Sequence, residues 1–158
     1  MQTGKLMEIA LKAAEILLTS GAEIYRVEDT IKWICKSFDS TCESFVLPTG
    51  IFISLKDDTG LGPVTSVKRI SQRTVDLHRI DRVNRFSRKL HRQSVSYGEA
   101  MDELKEIEEE KPHSFPARLV IAGIASLVFT MLFKGSFYEG IAAFFIGLSA
   151  AFISRFWR

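Results

Sequence analysis

The chain is short of cysteine, of charge in its last forty residues, and of every common catalytic signature. Its two cysteines, Cys35 and Cys42, are seven residues apart, which matches no metal or redox spacing. Cys35 falls on the apolar side of a helical pattern and reads as a small buried hydrophobe; the pair fits a reducing compartment. No HExxH pair, GxSxG elbow, Walker loop or GxGxxG turn occurs, and His78, His91 and His113 lie scattered between a basic helix and a linker. Glu23 with Glu28, and Asp57 with Asp58, are carboxylate pairs without a nucleophile beside them, so solvated surface explains them better than acid–base chemistry. These absences speak against an enzyme, a metal site and a bound cofactor. The start, MQTGKLMEIALKAAEILLTSGAE, mixes acids and bases among its apolar residues and lacks the long apolar core of a secretory signal. A net charge of +2 is too small to argue for nucleic acid.

What is present is unevenly spread. At 158 residues there is room for one domain and a short appendage. Up to Arg118 acids and bases balance; beyond it only Lys134, Glu139, Arg155 and Arg158 are charged. The run FPARLVIAGIASLVFTMLF, from Phe115 to Phe133, spans about 28 Å as a helix, close to a hydrocarbon core of about 30 Å. Lys134, Gly135 and Ser136 form a minimal turn, and Phe137 to Ile153 is apolar again except for Glu139, which lies near the turn. Two such runs across so short a turn are antiparallel. We therefore expect a head at 1–111, a linker at 112–114 and a transmembrane hairpin at 115–158, with spans at about 115–133 and 137–154. Lys105, Lys111, Arg118, Arg155 and Arg158 oppose Lys134 alone, which predicts a cytoplasmic head and C-terminus in a cell (inner) membrane; Phe156 and Trp157 fit an interfacial belt. Ala143, Gly147 and Ala151, with Gly140 nearby, recur at four-residue spacing and predict close helix packing, against another helix or against Ala122, Gly123 and Ser126 of the first span. Membrane lipid is the expected surrounding. Two helices do not enclose a water-filled path, so transport requires further spans from oligomerisation, a partner subunit or missing sequence.

In the head, Leu6, Ile9, Ala10, Ala13, Ile16 and Leu17 recur at helical spacing and Gly21 follows as a stop. A second helix is predicted from Ala22 to Phe38, buried along Val27, Ile31, Ile34, Cys35 and Phe38. Between Ser44 and Ile70, β-branched and aromatic residues alternate with turn signals at Pro48, Gly50, Asp57, Asp58, Gly60 and Gly62, predicting two or three antiparallel strands. Further helices are expected at Thr74–Arg92 and Ser96–Glu110, the latter opened by a Ser96/Glu99 capping box. The fold class is an α+β head of four helices with a small antiparallel sheet, followed by an α-helical transmembrane hairpin. The third helix sets Leu77, Ile80, Val83, Phe86 and Leu90 on one arc and Arg82, Arg85, Arg88, Lys89 and Arg92 on the other. That basic arc suits anionic headgroups or solutes, but the acids of the next helix, Asp102, Glu103, Glu106, Glu108, Glu109 and Glu110, offer plain charge complementation.

SGAEIYRVEDTIKWI, then VLPTGIFISL, RISQRTVDLHRIDRVNRFSRKL and SYGEAMDEL ahead of a proline-led span, resemble in that order the N-terminal part of the threonine/serine exporter family, of the ThrE and YjjP type. The most specific piece is carried by Gly21, Ala22, Glu23, Arg26, Val27 and Glu28. The resemblance implies ion-driven export of a small polar or anionic solute: threonine, serine or a dicarboxylate such as succinate. It also implies a cytoplasmic head and a multi-span bundle, built as a homo-oligomer or with a second small membrane subunit. The sequence holds two spans where the resemblance implies about five, as expected of a fragment, a truncated gene product or one subunit of a larger assembly. Glu23, Arg26 and Glu28, with Thr49 in the Pro48–Gly50 turn, are the candidate solute-binding or gating residues; Arg26 suits a carboxylate. The same charges equally serve as structural pairs joining helices and sheet. The rival function is a membrane-tethered interaction domain that binds a protein or anionic lipid.

Overall fold

A computed structural model describes residues 3–56, 62–110 and 115–154. The chain divides into two compact units, Met1–Glu110 and Lys111–Arg158. Of the features expected above, Asp57, Asp58, Gly60, Lys111, His113, the 112–114 linker, and Arg155 through Arg158 lie outside the described residues.

The first unit is built on α1 (Thr3–Thr19), which is apolar over most of its circumference and packs against α2 (Ile24–Lys36), α3 (Leu77–Arg92), α4 (Tyr97–Glu109) and the sheet. Ile9, Ala10, Ala13, Ala14 and Leu18 are fully enclosed. Each large aliphatic side chain so buried contributes about 1.5–3 kcal/mol relative to exposure. On the polar edge of α1, Lys12 bonds Glu108 at 2.5 Å and Glu15 pairs with Lys68 at 3.0 Å.

Strands β1 (Cys42–Leu47), β2 (Gly50–Leu55) and β3 (Val64–Arg69) form an antiparallel sheet in sequence order. Period-two alternation sorts its faces. Val46, Ile51, Ile53 and Leu55 enter the core, while Phe45, Phe52 and Val67, paired in register across the three strands, stay on the outer face.

Several element boundaries are shorter than the periodicity predicts. Helix α2 begins at Ile24 rather than Ala22, because Gly21 turns with φ +85° and Glu23 is the extended N-cap. Helix α3 begins at Leu77 rather than Thr74. Thr74 and Asp76 donate their backbone N–H groups to the carbonyls of Thr19 and Ser20, at 2.8 and 3.0 Å, so residues 74–76 run as an extended strap over the end of α1. The Asp76 carboxylate then accepts from the amides of His78 and Arg79, which starts the helix there. Leu77, expected in the buried arc, sits on that first turn and is 74% exposed. The Ser96/Glu99 capping box is formed as expected at the start of α4.

The second unit consists of α5 (Phe115–Leu132) and α6 (Phe137–Ile153). Lys134 at φ +62° and Gly135 reverse the chain, and Ser136 with Glu139 forms a capping box on α6. Glu139 is therefore a helix cap, which explains the charge beside an apolar run. The ring of Phe115 lies 6.2 Å from that of Phe152, and Gly123 lies against Phe144, so the two helices are antiparallel. Helix α5 meets the length and apolarity needed to cross a membrane, with mean hydropathy 1.9 and 6% of it buried; α6, at 17 residues, is apolar but one residue shorter.

Candidate functional site

A hollow in the first unit runs between α2 and α3, with a volume of about 560 Å³. Helix α2 contributes Tyr25, Arg26, Asp29, Thr30 and Trp33; α3 contributes Asn84, Ser87, Arg88, His91 and Arg92. Both helices turn their apolar stripes inward, which leaves their adjoining polar flanks as the two walls. Thr30 and Ser87 are buried at the floor, and their hydroxyls donate to the carbonyls of Arg26 and Asn84, at 2.8 and 3.0 Å. Trp33 and His91 close one end edge to face, with ring centroids 5.5 Å apart, and Lys36 lies over the Trp33 ring at 5.7 Å. Tyr25 has its phenol pK raised, chiefly because it hydrogen-bonds the Glu23 carboxylate, whose charge opposes a phenolate.

The basic residues of α3 divide into two groups. Arg82 bonds Glu106 at 3.1 Å and Glu110 at 3.5 Å, Lys89 bonds Glu103 at 2.8 Å, and Arg79 donates to the Glu110 carbonyl at 2.8 Å. Hydrogen bonding to Glu106 and to Glu103 raises the pK of Arg82 and of Lys89 respectively. Arg85 pairs within its own helix with Asp81 at 2.8 Å. Charge complementation by α4 thus accounts for one flank of the helix. Arg88 donates only to the carbonyl of Asn84, at 3.3 Å, and among the described residues neither Arg88, Arg92 nor Arg26 forms an ion pair.

Of the four residues singled out in the sequence, only Arg26 lines this groove. Glu28 is turned to the sheet, where its carboxylate accepts from the amide of Val46 at 3.1 Å. Glu23 is the exposed N-cap of α2 without a side-chain cap bond. Thr49 is exposed in the β1–β2 turn, and its carbonyl accepts from Ile70 at 2.9 Å. Arg88 and Arg92 belong to the basic arc that the sequence offered to anionic headgroups or solutes, whereas Tyr25 and Trp33 are wall residues that sequence reasoning passed over. In the second unit Ala143, Gly147 and Ala151 lie on a half-buried side of α6, and a Cβ on Gly147 would stand 2.2 Å from Ser126 Oγ and 2.9 Å from the Ala122 carbonyl. That stripe is occupied by α5.

A family model described as "Putative threonine/serine exporter" (ThrE) matches residues 8–158. The chain belongs to this threonine/serine exporter family. A protein of Mycobacterium tuberculosis (strain ATCC 25618 / H37Rv), described as "Probable threonine/serine exporter", is 28% identical to it. That match covers 90% of this chain and 27% of the relative, so the chain spans about a quarter of the relative's length. No solved structure matches. Within this chain, the segment that carries the family resemblance does architectural work at its first half. A Cβ on Gly21 would lie 2.7 Å from the Thr74 carbonyl, and Arg73 donates to the carbonyls of Leu18 and Ala22 at 3.1 and 3.2 Å, pinning the α1–α2 turn. Arg73 is a residue no spacing rule marks, since its partners are carbonyls 51 and 55 positions away.

Proposed function

We propose that this chain is the N-terminal portion of an exporter that carries threonine or serine out of the cell, with its first unit on the cytoplasmic side and α5 and α6 both crossing the membrane. The observation that carries the reading is the family match over residues 8–158, which runs through both the folded unit and the apolar helices. The physical support is the character of α5 and α6. Val120, Ile121, Ile124, Val128, Phe129, Phe145 and Ile146 all point outward, a surface that water penalises at about 25 cal/mol per Å² and lipid does not. Orientation follows from the bases that flank the spans, with Lys134 alone at the turn.

Two antiparallel helices that fill their own seam with Gly147 against Ser126 leave no room for a polar path between them. Solute movement is therefore assigned to a bundle of further spans, from more of the same protein, from copies or from a second subunit, against which the outward faces of α5 and α6 pack. Neither a dicarboxylate nor a purely tethered interaction domain draws support from the family match.

The test is efflux from cells stripped of their own threonine and serine exporters, loaded with labelled threonine, serine or succinate, and expressing the protein that carries this chain with its full set of spans. Loss of threonine and serine from the cells, with succinate retained, is the expected result. Equal retention of all three labels would overturn the reading.

A further inference from the structure

We propose that the groove between α2 and α3 binds a phosphorylated small molecule that carries a flat ring, a ligand of nucleotide size. The inference stands independently of the transport reading, because it concerns binding to the first unit.

The charge distribution points to an anion. Other basic residues of α3 are matched to carboxylates, yet Arg26, Arg88 and Arg92 converge on one hollow where Asp29 is the sole acid. Three guanidinium groups against one carboxylate leave two uncompensated positive charges around about 560 Å³. Mutual repulsion among them is relieved by a ligand bearing two or more negative charges. The planar fork of arginine matches phosphate oxygens two at a time. A second hollow of about 370 Å³ shares Arg88 and Arg92; its other bases, Arg85 and Lys89, are already paired with Asp81 and Glu103, so Arg88 and Arg92 carry its uncompensated charge. Threonine or serine fits neither feature: each is a zwitterion of zero net charge and fills a small part of such a hollow.

The aromatic residues point to a ring. Trp33 is 52% exposed and Tyr25 is 61% exposed, on the same flank of α2 and beside the arginines. Base-on-aromatic stacking contributes about 1–3 kcal/mol per base. The volume falls in the range of about 300–1,000 Å³ that small-ligand sites occupy.

The experiment is calorimetric titration of the full chain, held in nanodiscs of neutral phosphatidylcholine, with ATP, ADP, AMP and inorganic tripolyphosphate. Saturable binding of at least one nucleotide is expected, with tripolyphosphate about tenfold or more weaker. Arg88→Gln with Arg92→Gln, both exposed and without structural ion pairs, should weaken the nucleotide about tenfold or more while leaving the melting temperature in place. Trp33→Ala should bring nucleotide affinity down to that of tripolyphosphate. Arg69→Gln, which removes an exposed base of β3 that lines neither hollow, should change affinity far less. No saturable binding of any nucleotide at millimolar concentration overturns the proposal, as does an unchanged affinity in the double variant. Equal affinity for tripolyphosphate removes the ring from it. A further arm uses nanodiscs containing phosphatidylglycerol or phosphatidylinositol phosphate: if these lipids displace the nucleotide and bind more tightly through Arg88 and Arg92, a headgroup is the ligand and the soluble nucleotide is overturned.

Discussion

Replacing Gly21 by alanine perturbs the head at the point where the α1–α2 turn meets the strap before α3. The residue has φ +85°, a region that costs an L-residue about 1–2 kcal/mol. Its new Cβ would also stand 2.7 Å from the Thr74 carbonyl, a backbone atom that cannot swing away by rotation of a side chain. The strap has to move, and with it the bonds Thr74 N–H to Thr19, Asp76 N–H to Ser20 and the two from Arg73 to Leu18 and Ala22. Losing one or two of these adds about 1 kcal/mol each. The expected destabilisation of the head is about 2–4 kcal/mol, a fall in melting temperature on the order of 10 °C or more for a unit of this size. Gly98→Ala is the control: nothing lies within 4 Å of its Cβ and its backbone is helical, so the change should range from neutral to a gain of about 0.5–1 kcal/mol. The measurement is urea unfolding of the full chain in neutral detergent, followed through exchange protection of the α1 amides, which reports the head rather than the detergent-held helices. A Gly21→Ala protein within about 0.5 kcal/mol of the parent would refute the reasoning, since surface substitutions without strain fall in that band.

Three further outcomes are expected. Gly147→Leu should loosen the α5–α6 seam by about 1–3 kcal/mol, because its Cβ position already meets Ser126 and the Ala122 carbonyl; denaturation in bicelles reads this, and unchanged stability would count against the seam. Glu99 has a depressed pK because the Ser96 amide, and then its hydroxyl, bonds the charged carboxylate. Its contribution to stability is therefore present above the ordinary carboxylate pK and is lost as pH falls through the depressed value. Titration of Glu99 by NMR should show the low pK, with Ser96→Ala moving it back towards normal. A hydrogen bond between the two sulfurs, together with burial, raises the Cys35 pK; the same bond lowers that of Cys42, against the opposing effect of its own burial. Iodoacetamide at mildly alkaline pH should label Cys42 first, and prior labelling of Cys35 would contradict the pairing.

Much of the architecture could be read from the chain because it rests on local pattern. The α1 and α2 stripes, the β alternation around Val46 to Leu55 and the Ser96/Glu99 box are all set by residues within a turn or two of one another. The family, too, was legible, since Gly21 to Glu28 is a contiguous signature. What escaped was fixed across distance. Thr74 to Asp76 carries a helical-looking sequence, yet hydrogen bonds to Thr19 and Ser20, more than 50 positions earlier, hold it extended. Glu28 read as a candidate solute ligand, because nothing in the sequence places the Val46 amide beside it. The groove itself was hidden for the same reason, as Arg26 and Arg92 meet only once α2 and α3 pack.

One part of that groove was nevertheless encoded in the α3 sequence, at finer angular resolution than a division into apolar and basic arcs. At about 100° per residue, Arg82 and Lys89 project about 20° apart, and Arg88 and Arg92 about 40° apart, with roughly 90° between the two pairs. No single neighbouring helix covers both, since a packed helix contacts one stripe of its partner. An acidic α4 is therefore able to neutralise only one pair, and it takes Arg82 and Lys89. The second pair faces α2, whose adjoining flank offers Asp29 but also Arg26, so the excess of two positive charges there stays uncompensated. A helix designed only to be matched by α4 would have kept its bases on one stripe. The second stripe, set opposite another arginine and beside two exposed aromatic rings, forms the wall of the proposed anion site.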